Sequence, residues 1–224
     1  MKNRSYVLVG TLSVLLSALA VPAAQSGNDN QLFLLQESPS GALTGNTLTV
    51  DQSAATGSLI SGPLGAGDPA IQRGSGNELE IEITGEGGYV EFIQDNSGAS
   101  AGNNGIINVG PGSTATLSQN GDGNTASLTV NGLAAQGAIV QEGLSNQADL
   151  NVVGNGASGE ITQVGNGNVS GLTVTGAGTT VSFEQTGDGL SYATSYDGVT
   201  VPGTAPGVQV ISNGASVTIT QSTF

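Results

Sequence analysis

The chain has 224 residues, and its 17 acidic and three basic residues give a net charge of −14 at neutral pH. Nucleic acid is excluded as a partner, because binding to phosphates requires clustered lysine and arginine. Histidine and cysteine are absent, and the only lysine is Lys2. Serine and threonine hydroxyls therefore have no neighbouring base of the usual kind, and the sequence predicts a protein that is not an enzyme.

Residues 1–24 have the composition of a secretory signal peptide. Lys2 and Arg4 precede an apolar run at 6–20, and small residues follow. A basic head, a short apolar middle and an A-x-A-like end favour cleavage and export, whereas a membrane-spanning helix needs about 20 apolar residues. No other stretch is apolar enough to span a membrane. We expect an exported mature chain with a net charge of −16, because two of the three basic residues leave with the leader.

A repeat of 22 residues organises most of the remaining chain. Glutamine, glycine, asparagine, leucine and valine each recur at this interval, and insertions lengthen two of the intervals. The glutamines are Gln72, Gln94, Gln119, Gln141, Gln163, Gln185 and Gln221, and the asparagines are Asn77, Asn124, Asn146 and Asn168. Such a recurrence of many residue types at one period predicts a stacked repeat architecture.

Side chains within each repeat alternate with period two, which is the pattern of a β-strand. Ile161 and Gln163 share one predicted face, and Glu160 and Thr162 share the other. Turns rich in glycine and asparagine separate the strands, since these residues tolerate positive φ. The sequence therefore predicts an all-β fold, a β-solenoid of 22-residue strand–turn–strand repeats whose rungs stack about 4.8 Å apart.

Five segments are predicted along the chain. They are the signal peptide 1–24, an irregular N-terminal segment with a degenerate repeat at 25–68, a repeat domain at 69–190, an insertion loop at 191–206 and a C-terminal repeat at 207–224. Residues 53–68, like 191–206, fit no rung and are interpreted as an insertion. The last repeat runs almost to the C-terminus without a polar capping segment, although solenoids that stay monomeric usually cover their ends.

Inward-facing glutamine requires an explanation, because an unpaired buried amide costs about 1–3 kcal/mol. Stacked at the spacing of neighbouring strands, each amide can donate to the carbonyl of its copy in the next rung. We expect the inward glutamines and asparagines to form structural ladders that determine the register. Such a ladder can continue across a subunit boundary, or it can serve a monomeric solenoid internally.

The repeat resembles that of curlins, the subunits of bacterial curli fibres, whose unit reads approximately S-x5-Q-x-G-x-x-N-x-A-x3-Q. Ser113, Gln119, Gly121, Asn124 and Ala126 match this pattern as far as the alanine. Valine replaces the second glutamine in most repeats. The resemblance implies secretion through the outer membrane of a Gram-negative bacterium by a dedicated machinery. It also implies polymerisation with itself or with other curlin subunits into an adhesive amyloid fibre of the biofilm matrix.

Two alternatives stay open. A monomeric acidic solenoid could act as an adhesin or binding module that displays its insertions to a partner. The turns at 120–124 and 186–189 also resemble those of calcium-binding parallel β-rolls, but these have nonapeptide repeats. In the next two repeats Leu144 and Asn166 replace Asp122. A turn without metal is therefore favoured, and the sequence predicts no cofactor.

Overall fold

The computed structural model describes residues 6–10, 29–38, 44–96, 101–191, 207–211, 214 and 216–223. At 6–10 and 207–211 it describes the backbone alone. The secondary structure of these residues consists of β-strands, connected by turns. A helix long and apolar enough to cross a bilayer does not occur in the described part of the chain.

The strands are numbered in chain order. They are β1 (Tyr6–Gly10), β2 (Gln31–Leu32), β3 (Leu34–Glu37), β4 (Asn46–Thr56), β5 (Leu59–Ser61), β6 (Ala70–Arg73), β7 (Glu78–Glu86), β8 (Tyr89–Asp95), β9 (Asn104–Val109), β10 (Thr114–Asn120), β11 (Thr125–Asn131), β12 (Gln136–Glu142), β13 (Gln147–Val153), β14 (Ser158–Val164), β15 (Val169–Thr175), β16 (Thr180–Thr186), β17 (Gly207–Ile211) and β18 (Ser216–Ser222).

The strands form two facing sheets, between which the chain alternates at successive turns. Sheet A has the order β1-β4-β7-β9-β11-β13-β15-β17. Sheet B runs from β18 through β16, β14, β12 and β10 to β8, which pairs with both β5 and β6; these pair in turn with β2 and β3. The described pairings are parallel except for β1 with β4, which is antiparallel. The prediction of an all-β solenoid is confirmed.

Equivalent positions of successive repeats lie directly over one another. In sheet B, Gln141 pairs with Gln119 on one side and Gln163 on the other. In sheet A, Leu128 and Leu150 occupy equivalent places in β11 and β13. Side chains alternate between the two faces of a strand, so a slip of one residue would turn the glutamines outward and bury their charged neighbours. The period-two pattern therefore specifies one register.

The core lies between the two sheets. One inward column of sheet B holds its largest side chains, which are at most 1% exposed: Phe92, Leu117, Ile139, Ile161 and Phe183. The facing columns of sheet A contain leucine, isoleucine and valine. Burial of a side chain of this size stabilises the fold by about 1.5–3 kcal/mol. The core is thus one continuous apolar layer that runs along the stack.

The N-terminal segment is more regular than its sequence suggests. Strands β2 to β5 lie within 25–68 and stack in register on later rungs, with Leu48 beside Leu79. The interpretation of 53–68 as an insertion is too wide, because β4 continues to Thr56 and β5 pairs with β8. The chain departs from the rung only between Ser61 and Ala70.

Two other predicted segments lie mostly outside the described residues. Of the predicted signal peptide 1–24, the structure describes only β1, which pairs antiparallel with β4. Of the predicted insertion 191–206, it describes only Ser191, which forms an isolated bridge with Val169. In the C-terminal repeat, β17 pairs with β15 and β18 pairs with β16, both in parallel.

Candidate functional site: the amide ladders and the open strand edges

The inward glutamines of sheet B form an unbroken chain of side-chain hydrogen bonds. In each bond, Nε2 of one glutamine donates to Oε1 of the glutamine in the next rung toward the C-terminus, over 2.6–3.1 Å. The chain connects Gln36, Gln72, Gln94, Gln119, Gln141, Gln163, Gln185 and Gln221 in that order. The members from Gln72 to Gln185 are fully buried.

A second hydrogen bond orients each amide from Gln72 to Gln185. Nε2 of Gln141 also donates across the core to the Thr125 carbonyl of sheet A, over 3.0 Å. Gln163 donates in the same way to the carbonyl of Gln147, also over 3.0 Å. Because only the NH₂ group can donate to a carbonyl, rotation of the amide would place two acceptors face to face. The cross-core bonds therefore force all the amides of the ladder to point in one direction.

The asparagines stack in a row and bond mainly to the backbone of neighbouring rungs, although Nδ2 of Asn124 also donates to Oδ1 of Asn103 over 3.2 Å. Oδ1 of Asn124 accepts from the backbone N–H of Asn146 over 3.0 Å, and Oδ1 of Asn146 accepts from the backbone N–H of Asn168 over the same distance. Nδ2 of each residue donates to a turn carbonyl one rung further on, at Gly143 for Asn124 and at Gly165 for Asn146. Asn77 similarly accepts from the N–H of the next rung. These side chains join the turns of neighbouring rungs.

Three members of these rows are not among the ladder residues predicted from the sequence. They are Gln36, Asn46 and Asn103. Gln36 donates to Gln72. Asn46 is the first residue of β4 and Asn103 directly precedes β9, and both hold the position that Asn77 has before β7. The chain that loops out between β5 and β6 lengthens the interval from Gln36 to Gln72. A usable signal existed for Asn46, because Asn-x-Leu-x-Val at 46–50 parallels Asn-x-Leu-x-Ile at 77–81.

An ionic column lies on the outward side of the first rungs, beside the glutamines. Nε of Arg73 contacts Oε2 of Glu37 at 2.7 Å, and its Nη1 contacts Oδ2 of Asp95 at 3.1 Å. Hydrogen bonds to Glu37 and Asp95 raise the pKa of Arg73. The side chains are partly exposed, and such pairs contribute little stability each, about 0.2–1 kcal/mol. The only basic residue beyond the predicted leader thus links three successive rungs.

The outward face of sheet A is acidic and solvated. Glu78, Glu80 and Glu82 alternate along β7 and are all exposed. On β13, burial raises the pKa of the Asp149 carboxyl, and a hydrogen bond with Ser127 opposes this effect. Charges on the outer faces discourage unwanted pairing between sheets.

The turn carboxylates are used as hydrogen-bond acceptors. Oδ1 of Asp188 accepts from the backbone N–H and from Nδ2 of Asn166, over 2.8 and 3.0 Å. The amide oxygen Oδ1 of Asn166 in turn accepts from the backbone N–H of Leu144. Among the described residues, no group of three or more acidic side chains has the arrangement of a metal site. The turn contacts therefore tie neighbouring rungs together through hydrogen bonds.

The two ends of the glutamine chain are chemically different. Among the described residues, nothing accepts a hydrogen bond from Nε2 of Gln221, and nothing donates to Oε1 of Gln36. The N-terminal end of sheet B therefore presents an amide acceptor, and the C-terminal end presents an amide donor. Val217 and Ile219 of β18 are only half-buried, because no rung in the described part of the chain covers them. Both ends also carry the unpaired backbone groups of an edge strand.

Comparison with protein-family models, with curated protein sequences and with solved structures found no match to this chain. The geometry of the ladders and of the two ends therefore carries the functional argument, together with the repeat pattern of the sequence.

Proposed function

We propose that the chain is a structural subunit that polymerises end to end into an extracellular amyloid-like fibre. The observation that carries this proposal is the direction of the glutamine chain, which begins with an acceptor at Gln36 and ends with a donor at Gln221. A copy that docks its C-terminal end on the N-terminal end of another would continue the chain from Gln221 to Gln36. The opposite arrangements would bring two donors or two acceptors together.

The other columns of sheet B support the same junction. In the register of the stack, Ile219 of one copy would meet Leu34 of the next, and Val217 would meet Leu32. These contacts would bury apolar side chains that are half-buried in the single chain. Contacts of this head-to-tail type repeat without closing, so they generate fibres rather than closed oligomers.

Export and a place in the biofilm matrix are part of the proposal. They depend on the signal-peptide pattern of residues 1–24 and on the resemblance of the repeat to curlins. The partners would be further copies of this chain or other curlin subunits, together with an outer-membrane secretion machinery. Adhesion would be a property of the assembled fibre.

A monomeric binding module is the second candidate, and one loop favours it. Between Ser61 and Ala70 the chain forms a loop closed by backbone hydrogen bonds from Gly62 to Asp68 and from Gly65 to Gly62. This loop holds Leu64 in solvent with 87% of its surface exposed. An ordered loop that exposes an apolar side chain is a suitable contact for a protein partner.

Purified mature protein distinguishes the two functions. We expect fibres with an interstrand reflection near 4.7 Å along the fibre axis. A chain that remains a monomer for days at high concentration, at neutral and at acidic pH, would contradict polymerisation and favour the binding module.

Replacement of Gln221 by alanine tests the junction itself. We expect the rate of seeded fibre growth to fall about tenfold, because the donor that continues the ladder is lost. Thr220→Ala is the matched control, since Thr220 is the exposed, outward neighbour on the same strand. Growth is followed by light scattering from preformed seeds. Equal rates for the two variants would contradict the head-to-tail junction.

A further inference from the structure

Strand β4 is the first strand of sheet A that follows the parallel, in-register stacking of the repeats, and it lies between β1 and β7. The backbone N–H of Thr47 donates to the carbonyl of Asn77, the residue directly before β7, over 2.7 Å. Because peptide groups alternate along a strand, the N–H and carbonyl of Leu48 point away from β7. Strand β1 lies on that side, with Leu8 opposite Leu48. The edge of β4 therefore accepts a strand in the full-length chain.

Side chains of sheet B face the position of β1 across the core and form the floor of this position. Nε2 of Gln72 donates to the Thr47 carbonyl of β4, so each glutamine faces a sheet A strand at its own level. Gln36, one rung earlier, faces the position that precedes β4, which is the position of β1. Leu32 and Leu34 lie beside it and are half-buried. The position is thus a groove one strand wide, with the edge of β4 on one side and apolar side chains and an amide on its floor.

We propose that this groove is a strand-accepting site whose occupant in the full-length chain is the segment Tyr6–Gly10. The sequence of the segment, Tyr-Val-Leu-Val-Gly, is rich in residues that favour strands. Its pairing with β4 satisfies backbone groups that an open edge leaves free. The leader completes the first rung of the solenoid, in addition to any role in export.

The consequence for assembly rests on the proposed function. While β1 occupies the groove, a docking copy meets an antiparallel strand, which cannot repeat the parallel, in-register pairing of the other rungs. Removal of residues 1–24 would expose the edge of β4 and the floor at Leu32, Leu34 and Gln36. Processing would therefore convert a covered end into one that accepts the next subunit.

Proline substitutions in the full-length chain test the site directly. Leu8→Pro removes an N–H that faces β4, whereas Val9→Pro is a matched control, because the N–H of Val9 faces away from β4. We expect hydrogen exchange at the Leu48 and Val50 amides to accelerate about tenfold or more in the Leu8→Pro variant only. Exchange at Thr47, whose N–H donates to the carbonyl of Asn77 on the opposite side of β4, should not change. Equal protection of Leu48 in both variants would overturn the proposal.

Seeded fibre growth tests the consequence for assembly separately. With fibres of the Leu8→Pro variant as seeds, we expect this variant to elongate at least about fivefold faster than the full-length chain and the Val9→Pro variant. Equal elongation, together with the altered exchange, would overturn the control of assembly by the leader and leave the strand-accepting site established. Altered exchange without fibres from any variant would support the site and contradict the proposed function.

Discussion

Replacing Gln141 with glutamate is expected to destabilise the solenoid by more than about 3 kcal/mol at pH 7, although the two side chains have nearly the same shape. Nε2 of Gln141 donates to Oε1 of Gln163 over 2.9 Å and to the carbonyl of Thr125 over 3.0 Å. An ionised carboxylate has no hydrogen to donate, so it would face both acceptors at these distances. Water cannot relieve the contact with Gln163, since the side chains of Gln141 and Gln163 are fully buried.

The effect of Gln141→Glu is expected to shrink as the pH falls. Burial among acceptors raises the pKa of the new carboxyl in the folded state, whereas in the unfolded chain it stays near about 4.3. The destabilisation is therefore complete above the folded-state pKa and decreases as the pH falls toward the unfolded-state value. Below that value both states are protonated, and the remaining cost is the loss of one of two donated hydrogens.

Denaturant unfolding of the monomer at pH 7 and near pH 4.5 measures this effect. Gln147→Glu is the matched control, because Gln147 is exposed on the outward face of β13 and the change introduces the same charge. Its effect should stay within about 0.5 kcal/mol of the wild type at both pH values. If Gln141→Glu were as mild as the control, the glutamine ladder would not determine the stability of the stack.

Replacing Gly143 with alanine is expected to cost at least about 3 kcal/mol. Its φ is 114°, a conformation that L-residues rarely adopt, and an added Cβ would meet the carbonyl oxygen of Gly165 in the next rung. The neighbouring atom belongs to the backbone of a stacked turn, so relief of the clash would require the rungs to separate. Gly121 and Gly165 hold the same position with φ of 110° and 118°.

Gly156→Ala is the control for this substitution. Gly156 also has a positive φ, 65°, but the nearest atom to an added Cβ is the backbone nitrogen of Gly178 at 4.0 Å. The equivalent position in the preceding rung is already an alanine, Ala134, with φ of 58°. We expect a loss below about 1 kcal/mol in thermal or denaturant unfolding. Similar losses for Gly143→Ala and Gly156→Ala would contradict the close stacking of the turns.

The fold could be predicted from the sequence because the signal was repeated. A single alternating segment, such as the one that contains Ile161 and Gln163, is weak evidence for a strand. Its recurrence every 22 residues defines both the faces and the register. The buried glutamines from Gln72 to Gln185 were identified for the same reason, since residues that stack must recur at the period of the stack.

The first rungs were harder to recognise, because insertions remove the period. Two features change the sequence intervals that separate Gln36 and Asn46 from the equivalent residues of the next rung. They are an irregularity in β4 between Asp51 and Ala54 and the loop between β5 and β6. The strands nevertheless pair in register. Backbone pairing across the sheet tolerates a loop between two strands, whereas a sequence period does not.

By itself the sequence determined the repeat, the inward and outward faces and the excess of acidic residues. Only the tertiary structure decided the direction of the glutamine chain, because that direction depends on carbonyls of sheet A that face the amides across the core. It also decided that the asparagines bond to the backbone of the next rung, and that β1 lies against β4. These features depend on distances between strands that are remote in the chain, which a linear pattern of residue types does not contain.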